Sequence, residues 1–203
     1  VYLKPFLLEH NLHINPTIFT LFGIALAIFL GFRNSVSYDR WWEGRKLWGQ
    51  LVNDSRNLAI KLNAILDYND HYNRAFFVKS LSYFPHLLCR HLTKESTEFA
   101  LDEDYNELHS AEKEPHPPIS LINMQMNRLI HLQKSGQLTT EQLIFMDKQL
   151  SGFLDVCGGC ERIKNTPIPH SYSSFIKKFI VFYVLALPIA YVISIGYFMV
   201  PLT

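Results

Sequence analysis

An excess of charge of either sign is almost missing from this chain of 203 residues, whose 19 Lys and Arg against 18 Asp and Glu leave a formal net charge of +1. That balance excludes a strongly basic nucleic-acid-binding surface, and a hydrophobic content of 48% excludes a disordered chain. Strand-like alternation and internal repeats are absent too. The nine glycines form no phosphate-cradling loop and no nucleotide fingerprint. Cysteine is scarce, at three residues. Cys157 and Cys160 make a CGGC motif, yet no second pair and no thioredoxin-like βαβ pattern accompanies it, so a glycine-containing helix end is the expected role. No Ser-His-Asp set and no paired carboxylates in an apolar setting can be placed, so the chain is read as not an enzyme and no cofactor is assigned. His86, Cys89 and His91 have ligand-like spacing, but with nine histidines present no metal is assigned to them. The N-terminus lacks the charged, apolar, small layout of a cleaved signal peptide. The start at Val1 and the end at a hydrophobic segment create the expectation that sequence is missing at both ends.

Charge is also lacking inside two long stretches, and these organise the chain. Thr17 to Phe32 reads TIFTLFGIALAIFLGF and runs into Arg33. It is slightly short for an independent span, since a helix needs about 20 residues to cross roughly 30 Å of hydrocarbon. Asn15 and Pro16 read as its cap and first turn. Phe179 to Leu202 is uncharged throughout, with Pro188 expected to kink it and Tyr183, Tyr191 and Tyr197 ordinary for a span and its ends. Arg33, Arg40, Arg45 and Lys46 follow the first stretch, and Lys177 and Lys178 precede the second. Both basic flanks thus face the central region, which the positive-inside rule places in the cytoplasm. The expected layout is a membrane region over residues 1–33, a cytosolic helical domain over 34–174 and a membrane helix over 175–203. The protein is accordingly expected to be multi-pass, in the inner membrane and in contact with the lipid bilayer.

The central region reads as helices with polar joints. Leu47, Leu51, Leu58, Leu62 and Ile65 recur as on a long amphipathic helix. Residues 67–101 continue as one or two helices with a break or kink at Pro85. Residues 95–118 are rich in charge and end in Pro115, Pro117 and Pro118, which predicts an exposed loop. Two helices follow, over 119–134 and 140–156, with Ser135-Gly136 as the joint and Thr139 with Gln142 as a capping box. The class is all-α, with membrane-spanning helices continuous with a helical cytosolic domain.

In the first apolar stretch, Ile24, Ile28 and Phe32 lie at i, i+4 and i+8 and stack three bulky apolar groups on one face. Gly23, Ala25, Ala27 and Gly31 are small and permit close helix approach in lipid. Spacing alone leaves two readings open. The face packs on a neighbouring helix, or it forms a ring around an axis in an oligomer.

The segment GFRNSVSYDRWWEGRKLWG, followed much later by CERIKNTPIPHSYSSFIKKFI, resembles the bestrophin family in its bacterial branch. The resemblance extends through the whole chain. It implies a homopentameric ion channel for monovalent ions, with a narrow apolar neck lined by a membrane helix and a cytosolic vestibule closed by a second constriction. Carried over by position, the neck residues are Ile24, Ile28 and Phe32. Ile144 is the expected cytosolic aperture residue, with Leu143 as its alternative. Arg40, Trp41 and Trp42 are expected to anchor the turn from membrane to vestibule. Animal members have Phe at the middle neck position where this chain has Ile28, so the anion selectivity that the family implies is expected to be weakened, with cation conduction open. The calcium clasp of animal members lies in a region outside this chain. A membrane-anchored helical sensor or scaffold without conduction is the alternative reading.

Overall fold

Pro16 opens the first helix, as expected where a missing N–H costs no hydrogen bond. The computed structural model describes residues 16–93 and 106–195, with side chains described for 17–93 and 108–188. Asn15, the expected cap, lies outside them. The described residues form six helices and no strand: α1 (Pro16–Ile65), α2 (His71–Thr93), α3 (Asn106–Glu112), α4 (Pro117–Lys134), α5 (Thr140–Asn165) and α6 (His170–Ile195). The all-α expectation holds.

Helix α1 has 50 residues and passes without a break from the apolar stretch into the amphipathic one. At about 1.5 Å per residue it is about 75 Å long, far more than a bilayer core requires. Near its N-terminus it is apolar enough to cross a membrane, and almost none of that stretch is buried within the protomer. The second apolar run falls partly outside the described residues, which reach Ile195, so Tyr197 is not among them. Two compact units are present: Val1–Arg40 with Pro167–Thr203, and Trp41–Thr166.

The Trp41–Thr166 unit owns the core. Leu51, Leu58 and Leu62 of α1 are buried, as their spacing predicts, and Leu47 and Ile65 pack against the core's edge. Phe77, Phe84, Leu87 and Leu88 enter from α2, Leu121 and Leu129 from α4, and Met146, Leu150 and Phe153 from α5. Each such side chain contributes about 1.5–3 kcal/mol through burial. The rings of Phe84 and Phe153 stack with centroids 4.9 Å apart, joining α2 to α5 at the centre.

The joints follow local rules. Thr139 accepts from the Gln142 backbone N–H while the Gln142 side chain accepts from the Thr139 N–H, the expected capping box. Gly136 takes a φ of 78° after α4, a conformation that costs glycine little. The last turn of α1 contains no basic residue, and Arg74 of α2 supplies one from outside. Its guanidinium donates to the carbonyls of Leu66 (2.6 Å), Asn63 (3.0 Å) and Asp67 (2.8 Å).

Several expected boundaries are corrected. Helix α2 keeps Pro85 inside one helix, so of the one or two helices expected there His71–Thr93 forms one. The expected loop over 95–118 contains α3, whose Leu108 and Ala111 are fully buried, so hydrophobic anchoring outweighs the charged composition there. Helix α5 continues past Val156 to Asn165, which places CGGC inside a helix and not at its end. The reason is packing: Gly159 faces Leu47 of α1, and a Cβ at that position would lie 2.8 Å from both Leu47 methyl carbons. Gly152, two turns earlier, admits Asp54 in the same way, with the Asp54 Cγ 2.9 Å from where a Cβ would be.

Candidate functional site

Contacts inside the first unit show which face of α1 is occupied within the protomer. Phe22 meets Phe179 edge-on with centroids 6.1 Å apart, and Phe29 meets Phe175 in the same way at 6.1 Å. The Tyr172 hydroxyl donates to the Phe29 carbonyl at 3.1 Å, Gly23 faces the Tyr183 ring, and Leu26 between them is only 7% exposed. Helix α6 is therefore held by Phe22, Gly23, Leu26 and Phe29. Ile24, Ile28 and Phe32 are 54%, 53% and 63% exposed. At about 100° per residue, their face lies roughly 200° around the helix from the contact face. Packing on α6 does not explain this stripe.

In the other unit, Ile144 and Leu143 separate. Ile144 is 67% exposed, whereas Leu143 packs against the core. Beside Ile144, the Phe145 ring carries the Lys61 ammonium 3.7 Å from its centroid. Lys61 also donates to the Phe145 carbonyl at 2.7 Å and to Gln149 Oε1 at 2.6 Å. Its pKa is lowered by desolvation and by Lys148, against the opposing pull of Asp54. No local pattern in the sequence links Lys61 to Phe145, and only helix packing places a cation one residue from the candidate aperture.

Trp41 and Trp42 are exposed on the protomer and their centroids lie 6.1 Å apart, while Arg40 is half-buried. The two quoted motifs meet here across the fold. Glu43 of RWWEGR forms an ion pair with Arg162 of CERIKN. Exposure limits such a pair to about 0–1 kcal/mol, so its value lies in register.

The histidine reading changes partner. Among the described residues, the cluster of ligand-type side chains that contains His91 is completed by His116 and Glu161 and includes neither His86 nor Cys89. His91 Nε2 lies 2.8 Å from Glu161 Oε1, and His116 Nε2 lies 2.6 Å from the same oxygen. Burial pushes the Glu161 pKa up, but hydrogen bonds from His116 and His91 and their charges outweigh it, and the carboxyl is held below its usual range. Nothing in the local sequence around His116 marks it as a partner. Cys157, one turn before Glu161, is pushed up to about 12, first by burial and then by the Glu161 and Cys160 charges. Burial raises Cys160 as well, with help from Glu161 and Glu43. At pH 8 about one Cys157 thiol in ten thousand is then ionised, the opposite of a reactive CxxC. Iodoacetamide should label the native chain at Cys89 well before Cys157 or Cys160. Mass spectrometry of the labelled protein checks this, and equal labelling of all three would restore a redox role.

The sequence model of the bacterial/fungal bestrophin proteins matches residues 1–203. This chain belongs to that family. A voltage-dependent anion channel-forming protein of Ralstonia nicotianae is 36% identical over 199 residues, which cover 93% of this chain and 62% of the relative. The bestrophin chain therefore spans about three fifths of that relative's length. A crystal structure of a bacterial bestrophin homologue from Klebsiella pneumoniae, carrying one substitution, superposes with a TM-score of 0.85 at 29% identity, over 96% of this chain and 73% of that one. A substituted variant of a protein described only as a membrane protein gives 0.81 at 31% identity, over 92% and 70%. The bestrophin fold is thus common to these proteins, and the apolar start of α1 agrees with a place in a membrane.

Proposed function

We propose that this bestrophin is the subunit of a homopentameric channel for monovalent ions, with α1 lining the pore. The observation that carries the reading is the Ile24, Ile28 and Phe32 stripe, exposed and turned away from α6 in a chain whose relative is named as anion channel-forming. Five copies of an uncharged stripe around one axis make a ring that gates by dewetting. The exposed Ile144 supplies the cytosolic aperture, since a constriction needs a side chain that its own protomer leaves free. Leu143, packed against the core, does not suit that role. Exposed Trp41 and Trp42 are surfaces for a neighbouring subunit at the junction, with Arg40 beside them. Residues 34–174 lie in the cytoplasm, and the inner membrane holds the remainder. The test is purification of the full-length protein, a subunit count by mass measurement, and planar bilayer recording. Pentamers with unitary currents support the reading. A monodisperse monomer, or a pentamer with no current under any applied voltage, favours a non-conducting scaffold.

Selectivity follows from the neck. Only Phe32 offers an aromatic edge of positive potential, while Ile24 and Ile28 are aliphatic. Anion preference is therefore weaker than in animal members, and cations also pass. Ile28→Phe should shift the reversal potential in a tenfold salt gradient towards that of chloride, by several millivolts or more. A parent channel already strongly chloride-selective and indifferent to Ile28→Phe would place selectivity elsewhere.

A further inference from the structure

Three elements far apart in sequence aim ligand-type atoms at one point. His91 comes from the last turn of α2, His116 is the N-cap of α4, and Glu161 is on α5. The donor atoms of all three lie within 4.8 Å of one another. The His91 and His116 rings face each other with centroids 4.3 Å apart. Each of the three side chains is between a quarter and a third exposed, so solvent and ions reach the cluster.

We propose that His91, His116 and Glu161 form a binding site for a divalent transition metal of the zinc type. Two imidazoles and a carboxylate suit Zn2+ and its neighbours, whereas Mg2+ and Ca2+ select oxygen donors almost alone. Three protein ligands leave the fourth tetrahedral position to water, which the partial exposure supplies.

The present distances of 2.6 and 2.8 Å are those of hydrogen bonds, in which both rings share one carboxylate oxygen. Around a tetrahedral zinc, ligand atoms sit about 3.3 Å apart, so each nitrogen recedes by roughly half an ångström. His116 must also change tautomer. Its Nδ1 now accepts from the Ile119 N–H at 3.4 Å, which puts the ring proton on Nε2. Metal at Nε2 moves that proton to Nδ1 through solvent and gives up the cap contact, a small loss for so long a bond. Lys164 donates to the His91 carbonyl at 3.0 Å and fixes the end of α2 beside the cluster. The bound ion would tie α2, α4 and α5 at one point, and the site does not depend on conduction.

The full-length protein is freed of its purification tag, stripped with EDTA and titrated with ZnCl2 by calorimetry, with metal content measured after desalting. One zinc per subunit is expected, retained against a hundredfold excess of Mg2+ or Ca2+. Glu161→Gln and His116→Gln should each weaken binding by at least about tenfold. An unchanged affinity in the His91→Gln, His116→Gln double variant overturns the proposal, as does a parent that retains no zinc. Should the variants misfold, X-ray absorption of the zinc-loaded parent decides. Two imidazoles in the first coordination sphere support the site, and a sphere without imidazole refutes it.

Discussion

Replacing Ile24, Ile28 and Phe32 together with Ala is expected to raise single-channel conductance several-fold. All three side chains are exposed on the protomer and lie away from the α6 contacts, so truncation leaves the packing of Phe22, Leu26 and Phe29 intact. What changes is the ring. A wider neck with less apolar surface holds water more readily, and the barrier that dewetting opposes to an ion falls. Bilayer recording of the triple variant against the parent measures it, with subunit count as the check on assembly. An unaltered unitary conductance in an intact pentamer would mean that the pore does not run along this stripe. The single Phe32→Ala variant is expected to show the largest part of the effect, because it removes the bulkiest group.

Phe84→Ala should have the opposite character, with a large loss of stability and no direct effect on the neck. Phe84 is fully buried and stacked on the equally buried Phe153. Such a truncation costs about 3–5 kcal/mol, against a total of about 5–15 kcal/mol for a typical domain. The Trp41–Thr166 unit should then unfold at a much lower temperature, seen as a fall in the helical circular dichroism midpoint in detergent. Ile144→Ala is the matched control. Its side chain is exposed, so its stability should stay within about 0.5 kcal/mol of the parent. A Phe84→Ala protein that melts with the parent would show that this stack is not central to the fold.

The helical periodicity of α1 was legible because 3.6 residues per turn writes itself into the chain. Leu51, Leu58 and Leu62 went inside as their spacing required. Thr139 and Gly136 were equally legible, since a capping box and a left-handed turn involve residues only a few positions apart. Composition misled where it competed with packing. The charge of residues 95–118 obscured the two buried side chains that hold α3. The two glycines of CGGC read as a helix end, because glycine lowers helix propensity, but Leu47 needs the space that Gly159 leaves.

The all-α class, the continuity of an apolar helix with an amphipathic one, the stripe of Ile24, Ile28 and Phe32, and the family were all readable along the chain. These are short-range or pattern properties, carried by neighbours within two turns or by motifs that stand whole in the chain. Helix packing fixed which face of α1 meets α6, that Ile144 and not Leu143 is exposed, and that His91 lies beside His116 and Glu161. Those partners come from separate helices, and no periodicity connects residues whose distance is set by how helices pack. The same holds for Glu43 and Arg162, each inside a recognisable motif, whose meeting depends on the crossing of α1 with α5.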